Sequence, residues 1–148
     1  PVGGGGLISA VASVLKALSP GVEVVGVQPS ASPVMYESLR RGRIVEVEIG
    51  ESIAEALLGG IEADSITFDL CRRLVDDFIV VDEEAVREGV RWMLLRERQV
   101  AEGGGAIGVA ALLEEPGRFK GRRVAVIVSG GNIDAELLLE LMRGKAET

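Results

Sequence analysis

The stretch PVGGGGLI at residues 1–8 decides how the rest of this chain is interpreted. Four consecutive glycines run directly into residues 7–18, where apolar side chains recur at the spacing of one helix face; these are Leu7, Val11, Val14, Leu15 and Leu18. Glycine adopts positive φ without strain, and the first turn of a helix has unpaired N–H groups at the positive end of its dipole. The pattern therefore predicts a cradle for a phosphate or carboxylate, with a flexible terminal linker as the alternative.

Neither of the two best-known phosphate motifs matches residues 3–6. No Lys-Ser or Lys-Thr pair follows the glycines, which excludes a P-loop. The strand-like run at 22–27 ends in Gln28-Pro29 and not in an acidic residue, which argues against a dinucleotide-binding fingerprint. A phosphate carried by some other cofactor is the better prediction.

Composition favours an α/β fold with an open, mostly parallel sheet and helices on both faces. Of the 148 residues, 47% are hydrophobic but only 3% are aromatic, so the core must be aliphatic, as in parallel strands buried on both faces. Apolar runs predict strands at 22–27, 78–81 and 124–128, the last being the clearest. Helices are predicted at 7–18, 34–41, 66–75 and 133–143, after Asp82, and after the glycines at 103–105.

Charge and residue counts exclude several classes of function. The net charge of −7 argues against a nucleic-acid surface, and no apolar run is long enough for a membrane span. The absence of histidine excludes Ser-His, Cys-His and histidine–metal sites within this chain. The single cysteine, Cys71, fits a reducing compartment, and with no leader peptide visible we expect a cytoplasmic protein. We expect Cys71 to be a packed thiol and not a nucleophile.

Three loops of small or polar residues fall at strand ends or helix starts, at 3–6, 102–105 and 129–132. In a doubly wound sheet such loops meet along one edge, where ligands bind. Their residues supply a phosphate cradle, a carboxylate and a hydroxyl, but they assign no acid–base pair.

Five segments, in this order, resemble the carboxyl-terminal half of the threonine/serine dehydratases and serine racemases, which are fold-type II pyridoxal-phosphate enzymes. They are PVGGGGL at 1–7, SIAE at 52–55, LVDD at 74–77, AEGGGA at 101–106 and SGGNID at 129–134. GGIE at 59–62 and SITF at 65–68 are especially similar to the short dehydratases without a regulatory domain. The resemblance implies that residues 1–148 form a single cofactor domain of the tryptophan-synthase-β-like fold, as a portion of a longer enzyme.

The resemblance also implies roles for particular residues. The cofactor would be pyridoxal 5′-phosphate, with its phosphate bound by the backbone N–H groups of Gly3, Gly4, Gly5 and Gly6. Ser129 would bind the pyridine nitrogen with Gly130 beside it, and a neutral serine there favours β-elimination. Glu102 would lie near the cofactor, and its alternative interpretation is a carboxylate stabilised at a helix start.

The lysine that forms the Schiff base in this family lies in the amino-terminal half and matches nothing here. Lys16, Lys120 and Lys145 stand in other contexts, so we predict no catalytic residue in this chain and expect it to be inactive alone. We expect no metal site, because Gln28 and Val34 occupy the places where some members carry acidic ligands.

The complete protein is therefore expected to convert L-threonine or L-serine to a 2-oxo acid and ammonia. Its expected partners are the amino-acid substrate, the missing amino-terminal half and a second copy in a homodimer, with neither nucleic acid nor membrane. Alternatives within the fold are a serine racemase and a relative of threonine synthase or cysteine synthase. An alternative from another class is a non-catalytic half-domain that binds phosphate-bearing ligands.

Overall fold

The computed structural model describes residues 1–143, so Lys145 lies outside the described residues. The helices are α1 (Gly6–Leu18), α2 (Val34–Arg41), α3 (Ile66–Leu74), α4 (Glu83–Leu95), α5 (Gly103–Glu114) and α6 (Ala135–Arg143). The strands are β1 (Val25–Pro29) and β2 (Asp77–Val81), and a 3₁₀ turn spans Glu55–Leu57. Each described helix is too short or too polar to traverse a bilayer.

The two strands pair in parallel, with Val25 opposite Asp77 and Pro29 opposite Val81. One face of this sheet packs against α5 in a core of aliphatic side chains that includes Val27, Ile79 and Ile107. The other face carries Phe78 into a second core formed with α1, α2 and α3. The predicted α/β arrangement, with helices on both faces of a parallel sheet, is confirmed.

The predicted strand at 124–128 is wrong. The segment is neither helical nor paired with a strand, and Val124, Ile127 and Val128 are 45%, 45% and 40% exposed. Val126 packs on α5 where Gly108 leaves room for it, since a Cβ at Gly108 would lie 2.6 Å from Val126 Cγ1. An apolar run supplies only the side chains of a strand, whereas a ladder needs a neighbouring strand, and none pairs with 124–128 in the described part of the chain.

β1 begins three residues later than predicted, because the residues before it make other hydrogen bonds. Val22 N donates to Ser19 O in a turn, and Val24 N donates to the Asp76 carboxylate. The ladder with β2 therefore starts at Val25 and extends to Pro29.

Hydrogen-bonding side chains fix the starts of α3 and α4. Asp82 caps α4 as predicted, because its carboxylate accepts from Ala85 N at 2.8 Å, and Ser65 caps α3 by accepting from Thr67 N. Within α3, Cys71 is fully buried, as predicted, and burial raises the pKa of its thiol to about 11. A thiol with that pKa is almost wholly protonated at neutral pH, and only the thiolate is a good nucleophile. Cys71 is therefore a packing residue of the core.

Candidate functional site

The four glycines of the first loop and Ser129 line one cavity of about 190 Å³. These are five of the seven residues predicted for the site, and they come from opposite ends of the chain. The other lining residues are Pro1, Val2, Leu7, Ala56 and Leu57. A larger groove of about 810 Å³, bounded by residues 42–46, 60–63, Phe68 and Asp69, contains none of the predicted site residues.

Backbone hydrogen bonds hold the glycine loop at both ends and leave its own N–H groups unused. Val2 N donates to Val27 O at 2.9 Å, and Ser9 N donates to Gly5 O at 3.0 Å. No side chain caps α1, and within residues 1–143 the N–H groups of Gly3–Gly6 form no hydrogen bond. Gly3–Gly6 line the cavity at the start of α1, so these free donors and the positive end of the helix lie at its wall, which is the arrangement that binds an anion at a helix start.

The four glycines serve different purposes. Gly5 has φ +89°, and a Cβ there would lie 2.7 Å from Met35 Cε, so the fold itself requires glycine. A Cβ at Gly3 would lie 3.3 Å from Leu57 Cα. A Cβ at Gly4 or at Gly6 would meet no neighbouring group within 4 Å, so nothing in the described chain demands glycine there. The open space beside them would admit a bound group close to the backbone.

Glu102 and Gly130 lie against each other beside Ser129. Glu102 N donates to Gly130 O at 3.2 Å, and a side chain at Gly130 would collide with the Glu102 carboxylate. Glu102 is the N-cap residue of α5, yet its carboxylate forms no capping hydrogen bond. It does not line the 190 Å³ cavity. The structure thus places Gly3–Gly6 and Ser129 around one cavity. Glu102 instead contacts Gly130, the residue after Ser129.

Thr67 and the 3₁₀ turn are contacts of the glycine loop that the sequence did not predict. Thr67 Oγ1 donates to Gly4 O at 2.6 Å, and Ala56 and Leu57 line the cavity together with the loop. A hydroxyl in the first turn of a helix was the one local signal for Thr67. Ala56 and Leu57 had no such signal, because any apolar side chain suits those positions.

Neither lysine that the structure describes lines this cavity. Lys16 Nζ donates to the Asp76 carboxylate at 2.6 Å and to Val22 O at 2.8 Å, which ties the end of α1 to the residues before each strand. Lys120 is exposed in a turn. The hydrogen bonds from Lys16 and from Val24 N hold the pKa of Asp76 below its usual value of 3.8.

Gln28 is fully buried, and its amide joins the loop that follows β1 to the start of α2. Its Oε1 accepts from Tyr36 N at 2.8 Å, and its Nε2 donates to Ser32 O at 3.3 Å. Val34 is packed in the interior. Within residues 1–143, no group of three or more His, Cys, Asp or Glu side chains is arranged to hold a metal ion.

Comparison with known proteins gives matches over nearly the whole chain. The family model described as pyridoxal-phosphate dependent enzyme matches residues 1–130. The L-threonine ammonia-lyase of Thermotoga maritima is 43% identical over 138 residues, which are 93% of this chain and 34% of that protein.

Solved structures agree with that match. A threonine deaminase from T.th. has 40% identity and a TM-score of 0.82, covering 90% of this chain and 43% of that one. Maize serine racemase has 33% identity and a TM-score of 0.85, covering 97% and 45%. The chain therefore spans less than half the length of each of these proteins.

Proposed function

Because this chain belongs to the pyridoxal-phosphate dependent enzyme family, we propose that the protein it forms is a threonine/serine ammonia-lyase. Its reaction would be the β-elimination of L-threonine or L-serine to a 2-oxo acid and ammonia. The cofactor of the family is pyridoxal 5′-phosphate. The named relatives that support the reaction are L-threonine ammonia-lyases.

The observation that carries this proposal is the single cavity shared by the glycine loop and Ser129. Its free donors are backbone N–H groups at the positive end of α1, which suit a phosphate dianion. The open space beside Gly4 and Gly6 suits a group that approaches the backbone closely. In this proposal the N–H groups of Gly3–Gly6 bind the cofactor phosphate.

When bound, pyridoxal phosphate supplies the electron sink for bond breaking at the substrate's α carbon. Ser129 would orient the ring by a hydrogen bond at the pyridine nitrogen. Its hydroxyl is far too weak an acid to give up its proton, so Ser129 would keep the proton on Oγ and the ring nitrogen neutral. A cofactor ring with a neutral nitrogen is a weaker electron sink than a protonated one, and the weaker sink suffices for elimination of a β-hydroxyl.

Glu102 would lie beside the cofactor next to Gly130. Its carboxylate forms no hydrogen bond within residues 1–143, which leaves both oxygens available to accept one from the cofactor or the substrate. A carboxylate that capped α5 instead would have those oxygens engaged with the first turn of the helix.

The rest of the site would come from outside residues 1–148, which we propose form one cofactor domain of a longer protein. No described lysine lines the cavity, and 190 Å³ is smaller than the roughly 300–1,000 Å³ of complete small-molecule pockets. We propose that an amino-terminal half supplies the catalytic lysine and that the enzyme forms a homodimer. The buried, unpaired thiol of Cys71 suits a reducing compartment such as the cytoplasm.

A serine racemase is the second candidate, because maize serine racemase matches 97% of this chain with a TM-score of 0.85. The two activities separate in one assay with L-serine as the substrate. Ammonia and a 2-oxo acid report elimination, whereas D-serine in the recovered amino acid reports racemisation.

The test uses the full-length protein, loaded with pyridoxal phosphate and supplied with L-threonine or L-serine. We expect ammonia and 2-oxo acid in equal amounts, and none without cofactor. Ser129→Ala removes one hydrogen bond to the cofactor, so its affinity for pyridoxal phosphate is expected to fall roughly three- to tenfold. Ser30→Ala, an exposed hydroxyl outside the cavity, is the matched control and should change nothing.

Two results would contradict the proposal. Loaded enzyme that produces no 2-oxo acid from either amino acid would exclude the lyase. Unchanged cofactor affinity in the Ser129→Ala variant would remove Ser129 from the site while leaving the glycine loop in place.

A further inference from the structure

We propose that Thr67 is a positioning residue for the glycine loop, and that its hydroxyl sets the direction of the Gly5 N–H group. Thr67 lies in the first turn of α3, 63 residues along the chain from the loop, and its Oγ1 donates to Gly4 O at 2.6 Å. The inference rests on the proposed function, in which that loop binds the cofactor phosphate.

The geometry of the peptide bond links the two groups. The C=O of Gly4 and the N–H of Gly5 belong to the same planar trans peptide, so they point in opposite directions. Because Thr67 holds the carbonyl toward α3, the N–H is directed away from α3. No residue of α3 lines the 190 Å³ cavity, which the glycine loop borders together with residues that include Ala56, Leu57 and Ser129. The Gly5 N–H is therefore presented to the cavity.

The start of α3 fixes the Thr67 hydroxyl in turn. Thr67 Oγ1 lies 2.8 Å from Ser65 Oγ, and Thr67 N donates to Ser65 Oγ at 3.4 Å. Since the Thr67 proton goes to Gly4 O, the proton shared between the two hydroxyls comes from Ser65. The result is a directed chain of hydrogen bonds from Ser65 to Thr67 to Gly4, in which each bond polarises the next.

Packing behind the loop does not set the direction of the Gly4–Gly5 peptide, which leaves the hydrogen bond from Thr67 Oγ1 to Gly4 O as its determinant. A Cβ at Gly5 would lie 2.7 Å from Met35 Cε, 3.1 Å from Thr67 Cβ and 3.3 Å from Cys71 Sγ, so the loop already rests against α2 and α3. Packing fixes where the loop lies but not which way a peptide between two glycines faces, because glycine passes between φ regions at little cost. Loss of the Thr67 hydroxyl should release the peptide without moving the loop.

The test compares Thr67→Val, which replaces the hydroxyl with a methyl of similar size, and Thr67→Ser, which keeps the hydroxyl. Ser13→Ala is the matched control, since Ser13 Oγ donates to a backbone carbonyl of α1, Ser9 O, and does not line the cavity. For each full-length protein, the dissociation constants of pyridoxal phosphate and of pyridoxal, which lacks the phosphate, are measured by equilibrium titration. The melting temperature of the cofactor-free protein is measured alongside.

We expect Thr67→Val to weaken pyridoxal phosphate binding roughly three- to tenfold, as for one lost hydrogen bond, and to leave pyridoxal binding unchanged. Thr67→Ser and Ser13→Ala should bind both ligands as the wild type does. A purely structural role for Thr67 would instead lower the melting temperature and weaken both ligands equally.

Three results would overturn the proposal. One is unchanged phosphate affinity in Thr67→Val, and another is equal loss of both ligands. The third is failure of both Thr67→Val and the smaller Thr67→Ala to fold, which would make the residue structural. If the wild type does not prefer pyridoxal phosphate to pyridoxal, the proposed function fails as well. If the wild type shows that preference and Thr67→Val keeps it, only the role of Thr67 fails.

Discussion

At the scale of single residues, the glycines of the first loop are needed for two different reasons, one in the fold and one in binding. Gly5 is required by the fold, because it combines positive φ with close contacts from α2 and α3. Gly4 and Gly6 face open space, so the fold tolerates a side chain there and only a bound group would exclude one. Mutation can therefore separate the stability of the loop from its binding function.

Gly6→Ala should stabilise the cofactor-free protein and weaken cofactor binding at the same time. Gly6 is the first residue of α1, and alanine restricts the unfolded chain, which is worth about 0.4–1 kcal/mol in the free energy of unfolding. The added methyl enters the space proposed for the phosphate. Chemical denaturation and equilibrium titration with pyridoxal phosphate measure the two effects.

Gly21→Ala is the control for that variant, since Gly21 lies in an exposed turn with open space around it. It should leave cofactor affinity unchanged. Full cofactor affinity in the Gly6→Ala protein would show that the phosphate does not approach this residue.

At the scale of elements, most helices were predicted well because their signals are local, although residues 103–105, predicted as part of a loop, form the first turn of α5. The apolar spacing in α1 and the carboxylates after Asp82 each lie within a few turns of the element that they specify. The 124–128 segment was predicted wrongly because an apolar run indicates a buried strand whether or not a partner strand is present. Pairing depends on a neighbour far away in the sequence. For the same reason the observed bounds of β1 differ from the predicted ones, since they are set by its pairing with β2.

Asp82→Ala should destabilise the protein through the start of α4. The substitution removes the acceptor that binds Ala85 N at 2.8 Å, and loss of an N-cap costs about 1 kcal/mol in the free energy of unfolding. Asp82→Asn keeps an acceptor with good capping geometry and should restore most of that loss. Urea denaturation of the three proteins measures the difference, and equal stability of the alanine and asparagine variants would count against the cap.

At the scale of the whole molecule, two apolar surfaces remain uncovered in the described chain. Leu7, Val14 and Leu18 of α1 are 44%, 57% and 78% exposed, and Val124, Ile127 and Val128 are exposed as well. The two surfaces approach each other at one cavity, which Leu7 and Ser129 both line. A helix that is apolar on nearly all sides is typical of the interior of a larger protein. These surfaces support the proposal that the rest of the enzyme packs here.

The Lys16–Asp76 pair joins distant parts of the chain and should make stability depend on acid pH. The pKa of Asp76 is lower in the folded protein than its usual 3.8, first through the hydrogen bond from Lys16 and then through that from Val24 N. Folding is therefore favoured by the ionised carboxylate above that usual value, and the gain is lost as pH falls through the lower folded pKa. Because Asp76 is 41% exposed, the gain is modest, at most about 1 kcal/mol.

Asp76→Asn should lower the melting temperature at pH 7 by a small amount, and the difference from wild type should shrink at a pH well below 3.8. Asp64→Asn, at an exposed carboxylate with no partner in the described chain, should match the wild type at both values. Melting curves across this range test the sign, and a difference that grows as the pH falls would contradict it.

The sequence by itself determined most of the helices, the Asp82 cap, the buried thiol and the motif order that identified the family, because each depends on residues close together in the chain or on their order. Tertiary structure decided the rest. It joined Gly3–Gly6 to Ser129 in one cavity, placed Glu102 against Gly130, turned the Thr67 hydroxyl onto Gly4 O and left 124–128 without a paired strand. These contacts connect residues about 30 to 125 positions apart, and local propensity carries no information about which distant groups will meet.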